Sequence, residues 1–370
     1  MKLSKKLVKA SGGALRVGTF FGIPVKIHWT FGLLLIFLLI SAYRNGLDTK
    51  QTIGFILFFM CVFVCVVMHE YGHALMARKF KVKTQDIILS PIGGVARLEE
   101  LPSKPSQELL IAIAGPMVNV VIAVILTVIL KFGFNEGWPD IDNFNFDKPL
   151  EFLGNVAYVN MALFAFNLVP AFPMDGGRIL RSVLAMNMDK VAATKIASNI
   201  GRVIAIGFII IGILGQQLSL SLIGIFIFMM AGMEYRNLRI SSMLHKTQAG
   251  DIMRDKYTQV VKTDDYNKLA ELYYRAGEKN FLVFNEDSDI IGSVPELFVR
   301  DAIRKNIKHL TVGERMSEKF GIVPYTAPLD KLMDLMKEKG WAIVGVEHEN
   351  FLVGVVDRKG IEDFIILKGT

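Results

Sequence analysis

From Ile53 to Met68 the chain runs sixteen residues without a charge, and the next turn carries His69, Glu70 and His73. An apolar run of this length belongs in hydrocarbon or at the centre of a large core. It does not stand alone. Long apolar segments recur from about Val25 to Tyr235, at roughly 27–43, 52–77, 107–131, 150–173, 198–215 and 217–235. Each is near the length that crosses a bilayer core, about 20 residues at 1.5 Å rise. With 52% hydrophobic and 21% charged residues in 370, a single water-soluble core cannot hide this much apolar surface. A lipid bilayer therefore covers part of the chain.

The expected fold is a polytopic α-helical membrane protein of about six transmembrane helices, followed by a smaller α/β domain. Domain boundaries are expected near residues 1–240 and 241–370, with 236–248 as a short juxtamembrane linker. Basic residues orient the spans. Lys2, Lys5, Lys6, Lys9, Arg16 and Lys26 precede the first, Arg78, Lys79, Lys81, Lys83, Arg97 and Lys104 follow the second, and Arg178, Arg181, Lys190 and Lys195 follow the fourth. One alternate loop is acidic, with Glu136, Asp140, Asp142 and Asp147. The positive-inside pattern then puts both termini in the cytoplasm of a multi-pass protein of the cell membrane. The same pattern accounts for the net charge of +7 without a nucleic-acid partner, because the basic residues flank apolar runs and form no dense patch. The first apolar run lacks a small-residue cleavage site, so no cleavable signal peptide is expected. The two cysteines, Cys61 and Cys65, sit four apart in an apolar run and read as packing residues, which excludes a disulfide framework.

One loop has strand character. Residues 82–98 (VKTQDIILSPIGGVARL) carry β-branched residues around a Pro-Ile-Gly-Gly turn and read as a β-hairpin at the membrane edge.

The chemistry lies in His69-Glu70-Tyr71-Gly72-His73, an H-E-x-x-H pattern. Two histidines four apart on a helix project from one face and can grip one cation, and the Glu between them can take a proton from water at that cation. Ionisable residues in a span are costly, and a metal supplies the partner that three of them in one turn require. A catalytic zinc needs a third protein ligand. His28, beside Trp29, reads as an interfacial anchor, and His245, His309 and His348 lie in the soluble part. Asp175, in Asn167-Leu168-Val169-Pro170-Ala171-Phe172-Pro173-Met174-Asp175-Gly176-Gly177, is the outstanding acid. It is either that ligand or the N-cap of an amphipathic segment over 176–197. Spans two and four run in the same direction, so His69, His73 and Asp175 all fall toward the cytoplasmic ends of their spans.

HEYGH together with NLVPAFPMDGG resembles the site-2 protease family of intramembrane zinc metalloproteases. Gly93-Gly94-Val95 in the hairpin, Gly115-Pro116-Met117-Val118-Asn119 at the start of span three, and a soluble tail after six spans resemble it too. The resemblance covers about Gly22 to Tyr235. It implies one zinc ion per chain on His69, His73 and Asp175, Glu70 as the general base, and Asn167 as a holder of substrate or of the developing oxyanion. Substrates would be single-span membrane proteins. A buried scissile segment must unwind, and the hairpin around Gly93 and Gly94 is placed to accept it as an added strand. Asn119 is either a substrate or oxyanion contact or a polar link between helices.

The tail repeats itself. An offset of 63 aligns Ala249-Gly250-Asp251-Ile252-Met253 with Val312-Gly313-Glu314-Arg315-Met316, and Val260, Thr263, Leu269 and Gly277 with Val323, Thr326, Leu332 and Gly340. Copies over about 246–305 and 309–367 resemble a tandem CBS pair. Such pairs often bind adenine nucleotides, through a Thr or Ser followed three residues later by Asp. Neither Gly292-Ser293-Val294-Pro295-Glu296 nor Gly354-Val355-Val356-Asp357-Arg358-Lys359-Gly360 has that Asp in register. A homodimerising or substrate-docking role is therefore preferred over an adenine nucleotide site. The rival function is a CBS-regulated, metal-binding transporter or channel. It needs a polar path across the bilayer, and the outer halves of the spans carry no Asp, Glu, Lys or Arg except Lys131 and Glu151 at their ends.

Overall fold

A computed structural model describes residues 13–91, 93–98, 102, 104–134, 148–305 and 310–369. Lys2, Lys5, Lys6 and Lys9, the acidic Glu136, Asp140, Asp142 and Asp147, and His309 lie outside the described residues. The chain divides into two compact units, Met1–Tyr235 and Arg236–Thr370.

The first unit opens with strands β1 (Ala14–Phe20) and β2 (Ile23–His28), then a short helix α1 (Phe31–Arg44). Helix α2 (Thr49–Lys79) carries the H-E-x-x-H pattern. Its start is set by a capping box, in which the Asp48 side chain accepts from the Gln51 amide at 2.8 Å and Gln51 Oε1 accepts from the Asp48 amide at 3.1 Å. Arg78 and Lys79 in its last turn suit the negative end of the helix dipole. Strands β3 (Thr84–Ser90) and β4 (Gly93–Leu98) follow. Helix α3 (Pro105–Val128) starts on a proline that has no amide to waste and ends in a π turn over Ile129–Gly133. Helices α4 (Pro149–Asn167), α5 (Asp175–Leu184), α6 (Lys190–Leu214) and α7 (Leu218–Lys246) complete the unit's helical set.

Five of these helices are long and apolar enough to cross a membrane: α2, α3 with its π turn, α4, α6 and α7. They make this a multi-pass membrane protein. The first expected span is shorter than its hydropathy suggested. Of the expected span, residues 27–28 end β2 and 29–30 form a turn, which leaves α1 with 14 residues. That is about 21 Å of helix against a hydrocarbon core of about 30 Å. Three further expectations change. The amphipathic stretch after Asp175 breaks near Ala185–Asp189, so the next spanning helix begins at Lys190. Residues 236–246 are the end of α7, not a linker. Arg181, counted above among the basic residues of the loop after the fourth span, is fully buried and ion-paired.

The hairpin strands belong to a four-stranded sheet of order β1-β2-β3-β4. The β2–β3 pair is parallel, with Val25 opposite Ile87 and Ile27 opposite Leu89, and the outer pairs are antiparallel. Across β2, β3 and β4, Asp86 takes Lys26 Nζ at 2.6 Å and Arg97 Nε at 2.6 Å. The Arg97 guanidinium, with Lys26, holds the Asp86 carboxyl below the usual carboxylate range. The sheet packs Ile23, Val25, Ile87 and Leu89 on Tyr71 and Ala74 of α2. The Tyr71 hydroxyl donates to the carbonyls of Phe20 and Ile23. The sheet therefore fixes the rotation of the helix that carries His69 and His73.

The second unit holds two three-stranded sheets. One is β5 (Val260–Val261), β6 (Phe281–Phe284) and β7 (Ile290–Val294), and the other is β8 (Gly321–Pro324), β9 (Ile343–His348) and β10 (Phe351–Asp357). Each has a parallel and an antiparallel pair. Helices α8 (Tyr266–Glu271) and α9 (Glu296–Arg304) accompany the first sheet, α10 (Leu329–Lys339) and α11 (Arg358–Gly369) the second. Isolated bridges join Gln248 to Pro328 and Asp265 to Thr311. The partners in one bridge lie 63 positions from those in the other, so each repeat lays its entry segment on its sister. Leu282 and Phe284 of the first sheet share a core with Ile343 and Val355 of the second.

Candidate metal centre

His69, His73 and Asp175 are each under 10% exposed and meet at one point. The two Nε2 atoms are 3.1 Å apart, and Asp175 Oδ2 lies 3.1 Å from that of His69 and 3.2 Å from that of His73. Asp175 is the first residue of α5, whose N-cap is Met174, and its side chain caps no backbone amide. Its carboxylate turns to the histidines instead.

Hydrogen-bond direction decides what these atoms offer. His73 Nδ1 faces the Ile111 carbonyl at 2.7 Å and must donate to it. The other histidine is oriented by a relay. Asn160 Nδ2 donates to the Val156 carbonyl at 2.8 Å, so its Oδ1 accepts from Asn119 Nδ2 at 2.8 Å. Asn119 therefore presents Oδ1 to His69 Nδ1, 2.5 Å away, and that nitrogen donates. With Nδ1 donating, each neutral imidazole carries its lone pair on Nε2. Two nitrogen lone pairs and a carboxylate oxygen thus converge with no hydrogen among them. A shared proton would serve two of the three, whereas a cation serves all three. Ligand atoms held tetrahedrally at about 2.0–2.1 Å from zinc stand about 3.3–3.4 Å apart. The triangle of 3.1–3.2 Å fits that ion with small adjustment.

The neighbouring helix makes room. A Cβ on Gly115 of α3 would fall 2.2 Å from His73 Nε2 and 2.8 Å from His69 Nε2. Only a residue without a side chain lets α3 approach this closely. Glu70 stands beside the cluster without joining it. Its Oε2 accepts the Ala96 amide of β4 at 2.9 Å, and a Cβ on Gly94 would come 2.7 Å from its Cγ. The edge strand β4 thus lies directly over Glu70 and turns a backbone donor toward it.

The site residues named from the sequence separate into groups. His69, His73 and Asp175 come together, with Glu70 one residue along α2 under Gly94. Gly93 opens β4, and its carbonyl accepts from Ser90 Oγ. Asn167 is half-buried at the last position of α4, and its side chain makes no hydrogen bond among the described residues. Asn119 is fully buried with both ends of its amide engaged, one by His69 and the other by Asn160. Asn160 escaped the sequence reading, although an Asn in an apolar run was a signal. Gly115 enters the sequence reading as part of the family-like stretch that opens span three, with no role at the metal centre.

The sequence profile of peptidase family M50 matches residues 57–146 and 140–211, and that of the CBS domain matches residues 307–366. A zinc metalloprotease of Methanocaldococcus jannaschii is 37% identical over 240 residues, which are 65% of this chain and 66% of its own length. A candidate zinc metalloprotease of Synechocystis is 27% identical over 372 residues, covering 94% of each chain. The protein thus spans about two thirds of the first relative and nearly all of the second. The solved structure of a site-2 protease from Methanocaldococcus jannaschii is 35% identical and covers 60% of this chain and 95% of its own, with a TM-score of 0.46. His69, His73 and Asp175 all fall within the stretches matched by the peptidase profile, and the chain belongs to peptidase family M50, the site-2 protease family of zinc metalloproteases, with a CBS domain in its second unit.

Proposed function

We propose that the protein is an intramembrane endopeptidase that cleaves transmembrane segments of single-span membrane proteins. The observation that carries this reading is the convergence of two imidazole lone pairs and the Asp175 carboxylate between membrane-spanning helices, with a carboxylate beside them. His69, His73 and Asp175 would hold one zinc ion. When bound, the ion supplies Lewis-acid polarisation of a peptide carbonyl and of water. Glu70 takes the proton that the attacking water gives up and returns it to the leaving nitrogen. Asn119 and the Ile111 carbonyl keep both imidazoles in the tautomer that leaves Nε2 open.

A helical substrate hides its carbonyls in its own hydrogen bonds, so the segment must unwind before it can be cut. Beta-strand addition at β4 would then satisfy its backbone. The Ala96 amide supports this, since it points away from β3 and toward Glu70. Gly93 and Gly94 give the incoming chain clearance, and Asn167 is assigned to the substrate carbonyl. The protein would lie in the cell membrane with both termini cytoplasmic, a topology that requires α1 to serve as a sixth crossing beside the five long helices.

The CBS pair would serve in homodimerisation or substrate docking. Its buried polar groups favour this over an adenine nucleotide. Asn280 Oδ1 already caps α9 through the Glu296 amide at 2.9 Å, and Asp357 Oδ1 already caps α11 through the Gly360 amide at 2.8 Å. Helix N-termini are where phosphate groups usually bind, and Asp357 adds a negative charge there.

The test uses the purified full chain and a single-span substrate. Glu70→Gln retains one zinc per chain and loses cleavage. Cleavage that persists in this variant removes Glu70 from the proton transfer.

A further inference from the structure

We propose that Arg181 is a positioning residue of the metal centre, which by bridging Glu108 and Glu234 fixes where α5 presents Asp175 to the two histidines. This rests on the reading of His69, His73 and Asp175 as a metal site.

Arg181 lies on α5, six residues after Asp175, and its side chain has no exposure. Nε donates to Glu108 Oε1 at 2.8 Å, Nη2 donates to the same oxygen, and Nη1 donates to Glu234 Oε1 at 2.6 Å. Lys190 Nζ takes the other Glu108 oxygen at 2.9 Å, so two cations meet two carboxylates. The guanidinium also lies 5.1 Å over the Phe172 ring, in the loop that leads into Asp175.

An aliphatic side chain would pack α5 in place without burying charges. What the ion pair adds is direction, since a planar fork on carboxylates fixes both distance and rotation. The direction matters because of what else α3 carries. Glu108, Ile111, Gly115 and Asn119 are spaced three, four and four apart and form one buried stripe. On that stripe Ile111 holds His73, Asn119 holds His69, and Gly115 touches both rings. Glu108 holds α5 to the same stripe. Among the described residues the Asp175 carboxylate has no polar contact except with the two histidines. Its place is therefore decided by the placement of α5, and Arg181 anchors that helix about 9 Å along its axis.

The experiment measures zinc affinity by competition, and the visible absorption of the cobalt(II)-substituted protein, on the detergent-purified full chain. Arg181→Met should weaken zinc binding about 10–100-fold, the usual cost of losing a group that orients a ligand. Its cobalt spectrum should move toward that of Asp175→Ala. Arg181→Lys keeps the charge without the fork and should recover part of the loss. A residue that only packs would lower the melting temperature and leave affinity and spectrum unchanged, and that result overturns the proposal. If Arg181→Met does not fold, Glu234→Gln decides, because that carboxylate is 38% exposed and its loss is milder. It should weaken zinc about threefold, and unchanged affinity overturns the proposal. Wild-type protein that binds no zinc refutes the metal reading itself. Wild type that binds zinc, with folded variants that bind it equally well, refutes only the role of Arg181.

Discussion

The two units bury polar side chains in opposite ways. In the second unit, every buried polar side chain among the described residues finds a partner. Glu278 takes the Thr258 amide at 3.1 Å and its hydroxyl at 2.6 Å, Ser293 Oγ donates to the Lys319 carbonyl at 2.7 Å, and Asn280 and Asp357 each cap a helix. Donors meet acceptors and nothing is left over, so these contacts serve the fold. The membrane unit also has a closed cluster, Arg181 with Glu108, Lys190 and Glu234. Beside it lies an open one. The relay from Val156 through Asn160 and Asn119 spends its donors so that His69 Nε2 is left as a bare acceptor. His73 Nε2 and the Asp175 carboxylate are left the same way. An unpaired buried acceptor costs about 1–3 kcal/mol, and three pointed at one spot describe a cation site. The contrast teaches that burial alone does not mark chemistry, whereas an unbalanced set of donors and acceptors does.

The strongest way to break this contrast is to remove a member of the open set. Asp175→Ala should lose zinc and lower cleavage to about a thousandth of wild type or less, measured by metal content and substrate turnover. Retained stoichiometric zinc would show that the three groups do not form one site. Gly115→Ala comes next. The added methyl would stand 2.2 Å from His73 Nε2, and zinc affinity should fall about 100-fold in a protein that still runs as a folded species in detergent. Asn160→Ala tests the relay at its far end and never touches the histidines. Asn119 is then free to turn its amide, and affinity should drop about 10-fold. The smallest effect at the metal belongs to the closed set. Asn280→Ala should destabilise the second unit by about 1–3 kcal/mol, read by hydrogen exchange over β6 and α9, with zinc binding untouched. Loss of zinc in that variant would mean that the two kinds of cluster are not separable.

Much of the membrane unit could be read from local pattern, because hydropathy and the spacing of His69 and His73 are properties of neighbouring residues. The strand pair β1–β2 was missed even though Ile23 to His28 alternates, since a basic N-terminal stretch invites reading as a loop. The first span was overestimated at its start, where residues 27–30 continue the apolar run but end β2 and form a turn. Arg181 reads as one more basic loop residue because a sequence lists its charge and not the carboxylates from α3 and α7 that surround it.

By itself the sequence determined that this is a membrane protein, that α2 presents two imidazoles and a carboxylate on one turn, and that the tail is a repeat of period 63. These follow from composition and periodicity along one helix or one repeat. Only the tertiary structure brought the Asp175 carboxylate to the two histidines and not to a backbone amide of its helix, tied both ends of the Asn119 amide to His69 and Asn160, and laid Gly115 against both imidazoles. The physical reason is that each of these depends on which way a hydrogen bond runs between helices far apart in the chain, and no local spacing encodes that direction.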